Sequence, residues 1–147
     1  MAWIEVTLDH LKGKLTGPEV SALQTAALAE GQQDPIPEET ERVVREVRGY
    51  VAACKQNVIA PGITIPEELL DATLAILVVR INTRLPSKVL LTEERMDAKN
   101  DALRLMNMVA QCNFGLAQPE EASDEQFIIT TPSFVGRERK YRDQDGI

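Results

Sequence analysis

Between its turn signals this chain sets apolar residues at helical spacing. Leu8, Leu11 and Leu15 form one stripe, and Val20, Leu23 and Ala27 form a second. The most regular stripe is Val43, Val44, Val47, Tyr50, Val51 and Cys54, with Arg42, Arg45, Glu46 and Arg48 on the opposite side. Ala98, Ala102, Leu105, Val109 and Cys112 repeat it, widened by Leu103 and Met106. Residues 69–81 differ, being apolar nearly all round, and a helix without a polar face is normally central and covered on every side. The pattern predicts an all-α fold: an antiparallel helical bundle of about five helices around a central apolar helix. That central helix is expected over 66–85, with Leu70, Leu74, Leu77 and Val78 fully covered.

Start signals divide the stripes. Thr16-Gly17-Pro18-Glu19 and Thr64-Ile65-Pro66-Glu67 share the arrangement Thr-x-Pro-Glu. The Thr hydroxyl can accept from the amide three residues on, Glu can reach back to the Thr amide, and Pro sits where a missing donor costs nothing. Asp34-Pro35 followed by acidic residues is a third start, Thr7 opens a short first helix, and Thr92-Glu93-Glu94 opens the last, expected over 93–113. Residues 29–37 form a polar loop, Ala60-Pro61-Gly62 a turn, and Leu85-Pro86-Ser87 the end of the central helix. Gly115 is expected as the C-cap of the last helix. Beyond it the composition turns acidic, then β-branched, then charge-dense, so residues 1–115 are expected as the helical domain and 116–147 as an extended arm.

Composition narrows the class. A chain of 147 residues with 44% hydrophobic and only 4% aromatic residues builds one domain on an aliphatic core. Lys plus Arg number 16 against 23 Asp plus Glu, a net charge of −7 that opposes a whole-surface grip on nucleic acid. Cys54 and Cys112 are far apart and belong to no Cys-x-x-Cys or Cys/His group, so they read as inert core thiols rather than a disulfide framework. With His10 the single histidine, no metal site is expected. No signal peptide is expected, and the longest apolar run is too short for a bilayer, so a soluble protein made in a reducing compartment is expected.

The chain offers few parts for catalysis. His10 sits on a short amphipathic helix with no serine or cysteine nearby in sequence. Glu38, Glu39, Glu41, Glu67, Glu68, Glu93 and Glu94 cluster at helix starts, where the macrodipole already explains them as solvent-facing residues. There is no Gly-rich phosphate loop and no Glu-x-x-His pair, so neither catalytic residues nor a cofactor are expected. Residues 8–28 have the outline of a helix-turn-helix, which makes a small DNA-binding or regulatory protein the alternative reading. Its second helix offers only Gln24 and Glu19 toward a groove, which favours packing. Gly49, in mid-helix, suits either close approach by another helix or simple tolerance.

The order of these features resembles the small all-helical head-tail joining proteins (adaptors or connectors) of tailed phages and Mu-like prophages. The likeness is carried by Val6-Thr7-Leu8-Asp9-His10-Leu11, by Val47-Arg48-Gly49-Tyr50-Val51 ending a long helix, and by the Pro-led run from Ile65 to Ala72. A charge-led last helix and a tail with Pro132-Ser133-Phe134-Val135 and Arg137-Glu138-Arg139-Lys140-Tyr141 complete it. Where such proteins often continue Gly-Tyr-Leu with an Arg-Tyr pair, this chain has Ala52-Ala53-Cys54-Lys55. The resemblance implies a ring of identical subunits at the virion neck, assembled in the host cytoplasm. It further implies contact with the portal protein and with further neck or tail proteins, and DNA that passes without being tightly bound. It implies no catalytic residues.

The tail carries the expected partner-binding site. Phe127, Ile128, Ile129, Phe134 and Val135 are too few, and too broken by Pro132, to make a core of their own. Left in water they are an aggregation hazard. Arg137, Arg139, Lys140 and Arg142, with Tyr141 among them, form a basic cluster on an acidic chain. The apolar part is expected to dock on a neighbouring subunit or the portal, and the basic part to meet acidic surface there.

Overall fold

The computed structural model describes residues 2–26, 34–84 and 91–119. The protein is mostly helical, with five α-helices and one small two-stranded sheet among the described residues, which places it in the all-α class. In chain order these are β1 (Trp3–Glu5), α1 (Leu8–Lys12), α2 (Gly17–Ala26), α3 (Pro35–Ala53), β2 (Thr64–Pro66), α4 (Leu70–Thr83) and α5 (Glu93–Ala110). A 3-10 turn, Glu67–Leu69, joins β2 to α4.

Three of the expected helix starts have the expected chemistry. The Asp34 carboxylate accepts from the Ile36 amide at 3.0 Å with Pro35 in the first turn of α3. The Thr92 hydroxyl accepts from the Arg95 amide, and the Thr16 amide donates to Glu19 at 2.8 Å. At α1 the reciprocal partner is His10, whose Nδ1 accepts from the Thr7 amide at 3.1 Å.

The second Thr-x-Pro-Glu does not cap a helix. Thr64, Ile65 and Pro66 are a strand, paired antiparallel with β1 in the register Trp3↔Pro66, Ile4↔Ile65 and Glu5↔Thr64. The residue before a proline is disfavoured in the helical region, and the N-terminal strand supplies pairing partners a sequence window does not contain. α4 therefore begins at Leu70, which is only half-buried, and ends at Thr83; Leu85-Pro86-Ser87 lies outside the described residues.

The core sits among α3, α4 and α5, which contact one another pairwise. Val43, Val44, Val47 and Val51 of α3, Leu74, Ile76, Leu77, Val78 and Ile81 of α4, and Ala102, Met106 and Val109 of α5 are all buried. The largely apolar α4 is the most covered of the described helices, as expected, while Leu103 and Leu105 are half-buried and Ala98 is exposed. The ion pairs Glu46–Arg80 and Glu39–Arg84 tie α3 to α4 and to the residue that caps α4. Two polar side chains lie inside α4. Thr73 donates to the Leu69 carbonyl at 2.8 Å, whereas neither amide atom of buried Asn82 has a hydrogen-bond partner among the described residues.

The last helix stops earlier than expected and without Gly115. Asn113 donates to the Met108 carbonyl and Cys112 to that of Val109, the two bonds of a Schellman cap. Cys112 occupies the left-handed position usually given to glycine, with φ of 61°. A Cβ at Gly49 would meet no atom within 4 Å, so among the described residues no helix makes the close approach.

Candidate functional site

The expected docking residues Phe127, Ile128, Ile129, Phe134, Val135, Arg137, Arg139, Lys140, Tyr141 and Arg142 lie outside the described residues. What the structure defines is the place where the arm begins, and it is tightly held. Phe114 and Leu116 pack against the core. Ala117 is fixed from both sides: its carbonyl accepts from Trp3 Nε1 at 3.3 Å, and its amide donates to Glu68 Oε1 at 3.1 Å. The Val58 amide donates to Gln118 Oε1 at 2.9 Å. The first residues assigned to the arm thus lie on the helical domain, against the ribbon of β1 and β2.

Arg48 organises this corner. Although expected on the solvent side of α3, it is buried, donating to the Thr64 carbonyl at 2.8 Å and the Ala60 carbonyl at 2.9 Å. Its guanidinium lies 5.9 Å from the Trp3 ring centroid. A helical wheel ranks arginine by class, but its stem can run along apolar surface and its fork can satisfy two carbonyls that a turn leaves over. Arg48 therefore ties α3 to the ribbon, and Trp3 passes that restraint to the arm.

The cysteines overturn the expectation of separate thiols. Cys54 and Cys112 form a disulfide across a sequence separation of 58, with Cα atoms 5.3 Å apart. Each residue lies just past the end of its helix, α3 or α5, and those ends meet. Spacing along the chain gives no hint of this, because the adjacency comes from helix packing. The expectation of a reducing compartment loses the cysteine argument on which it rested.

Several carboxylates are also not where their helix-start positions suggest. Glu39 is buried, paired with Arg84 and, at 3.5 Å, with Arg42; Glu68 is half-buried under the arm. Glu19 pairs with Arg95 of α5 at 2.8 Å. Its carboxyl is held below the ordinary carboxylate range, first by the Thr16 amide and then by Arg95. That pair and buried Val20 turn the second helix of the helix-turn-helix outline toward the protein. Among the described residues no group of three or more His, Cys, Asp or Glu could hold a metal ion, and no helix is long and apolar enough to cross a membrane.

Beside the ribbon lies a groove of about 390 Å³. Val6, Leu8, Ile36, Pro37, Val44 and Ile63 line it, and Glu5, Asp34 and Glu41 also border it. Leu8 and Ile63 are among the most exposed large aliphatic side chains described, at 37% and 45%.

Two signals for this corner were present in the sequence. One is the single tryptophan in an aromatic-poor chain; the other is Ile65 before Pro66, which favours extended backbone. Arg48 and Glu68 carried no such signal. No family model, curated protein or solved structure matches the chain.

Proposed function

We propose that this protein is a structural joining element of a phage particle: a non-enzymatic subunit that forms a ring at the head-tail junction and contacts the portal. In this reading the helices form an antiparallel bundle, and the arm is the part that engages a neighbour or the portal. Localisation in the virion neck and assembly in the host cytoplasm belong to the same proposal. The observation that carries it is the order of features quoted above. Thr7 heads α1, Gly49-Tyr50-Val51 lies near the C-terminal end of α3, α4 is largely apolar and mostly buried, and Glu93-Glu94 leads α5.

Two further observations support it. The ring nitrogen Nδ1 of His10 is engaged at a helix cap, which gives the lone histidine a structural task. The net charge of −7 suits a passage wall, since an acidic wall repels phosphates and lets DNA slide.

The test is light scattering and electron microscopy of the purified chain, alone and with the portal protein of its phage. Rings, or a stoichiometric complex with the portal, support the reading; a monomer that ignores the portal overturns it. The chain should also fail to retain duplex DNA at physiological salt, and tight, salt-sensitive retention would favour the regulatory alternative. Truncation to test the arm belongs after Pro119, because Ala117 and Gln118 are bonded to the folded domain.

A further inference from the structure

We propose that the groove between α1, α3 and the ribbon is the seat of this chain's own arm in the free subunit. Residues 127–135 would fill it, and the basic cluster that follows would lie against its rim.

The chemistry of the groove selects the occupant. Its walls are aliphatic, and the hydroxyl of Thr40, which also lines it, already donates to the Ile36 carbonyl at 2.7 Å. That leaves little to orient a polar ligand and much to receive apolar side chains. The acidic groups at its border are Glu5, Asp34 and Glu41, with Glu41 shared with Arg45 at 2.6 Å. The arm offers the complement in the same order, with Phe127, Ile128, Ile129, Phe134 and Val135 first and Arg137, Arg139, Lys140 and Arg142 after them. Glu138 and Asp143 reduce the positive charge of that stretch without reversing it.

The path is short enough. Trp3 of β1 holds Ala117, and the chain leading out of β1 supplies Glu5 and Val6 to the groove. Seven residues separate Pro119 from Phe127, and the eight steps between them can extend about 28 Å, whereas a three-residue strand covers about 10 Å. A tether of this kind sets a millimolar effective concentration, so a second copy competes poorly for the same groove. The free subunit would thereby cover the residues that a neighbour is proposed to receive. The inference concerns the isolated chain and does not depend on the joining role.

The experiment is photo-crosslinking of the full chain with Ile63→p-benzoylphenylalanine, repeated with the same substitution at Leu8 on another wall. The expected product has monomer mass, with crosslinks mapped by mass spectrometry to residues 127–142. The crosslink should be lost in the full chain carrying Arg137→Glu, Arg139→Glu and Lys140→Glu, and weakened at high salt. A product of dimer mass would place the arm of a second copy in the groove and overturn the proposal. So would crosslinks from both positions that never reach the arm. Ring formation and portal binding are read separately, so the failure of one proposal does not entail the failure of the other.

Discussion

The packed centre of α3, α4 and α5 and the corner formed by the ribbon, the 54–63 segment and the root of the arm are held by different physics. The centre is aliphatic, and its contacts follow a helical repeat written in each segment separately. The corner shares in that apolar burial, with Ile65 inside the core and Phe114 and Leu116 packed against it, and adds single contacts between distant residues: Arg48 to Thr64, Trp3 to Ala117, Val58 to Gln118, and Cys54 to Cys112. One region distributes its stability over many interchangeable apolar atoms. The other adds to its apolar contacts a few donors, acceptors and one covalent bond. The lesson is that a stripe of valines predicts its own burial, whereas an arginine's role depends on which carbonyls a remote turn leaves over.

Mutations can break this contrast or sharpen it. The largest effect is expected in the centre, where Leu77→Ala should cost ~2–5 kcal/mol in urea unfolding, because a fully buried leucine leaves a cavity. A loss below ~0.5 kcal/mol would show that α4 is peripheral after all. Next is the disulfide. Opening a 58-residue loop by reduction or by Cys54→Ser should cost about 4 kcal/mol on the chain-entropy account, read as a reductant-dependent shift of the urea midpoint. Identical midpoints with and without reductant would remove the bond from the corner's supports.

Arg48→Met should cost ~1–3 kcal/mol by leaving the Thr64 and Ala60 carbonyls without their donor, and should loosen the ribbon and arm root in hydrogen exchange before the helices. Equal loosening everywhere would erase the distinction between the regions. Asn82→Leu carries the opposite sign: replacing a buried amide that has no partner among the described residues by an apolar group of similar size should be neutral or stabilising by up to ~2 kcal/mol.

The smallest effect is at Glu19. Its lowered carboxyl contributes stability that is whole above the ordinary carboxylate range and is lost as pH falls through the lowered value. Glu19→Gln should therefore flatten the acid limb of the stability curve, with a cost at neutral pH below about 1 kcal/mol. An unchanged acid limb would show that the pair with Arg95 contributes nothing measurable.

The all-α class, the starts of α1, α2, α3 and α5, the aliphatic core and the near-complete cover of α4 were legible in the residues, because periodicity and capping are local properties. Each needs only a window of a turn or two. Thr64-Ile65-Pro66 shows where that reasoning stops. The same four-residue arrangement caps a helix at Thr16 and forms a strand at Thr64, because only the second has Trp3, Ile4 and Glu5 lying alongside.

The same division holds for the candidate site. Charge and apolar content marked the arm in the sequence, since they belong to its own residues. Folding decided that Glu68 and Trp3 hold its root, that two cysteines 58 positions apart are bonded, and that Arg48 is buried. It also decided that a groove opens beside Leu8 and Ile63. These depend on which surfaces meet once the helices pack, and a lone polar contact between remote residues leaves no repeat along the chain to announce it.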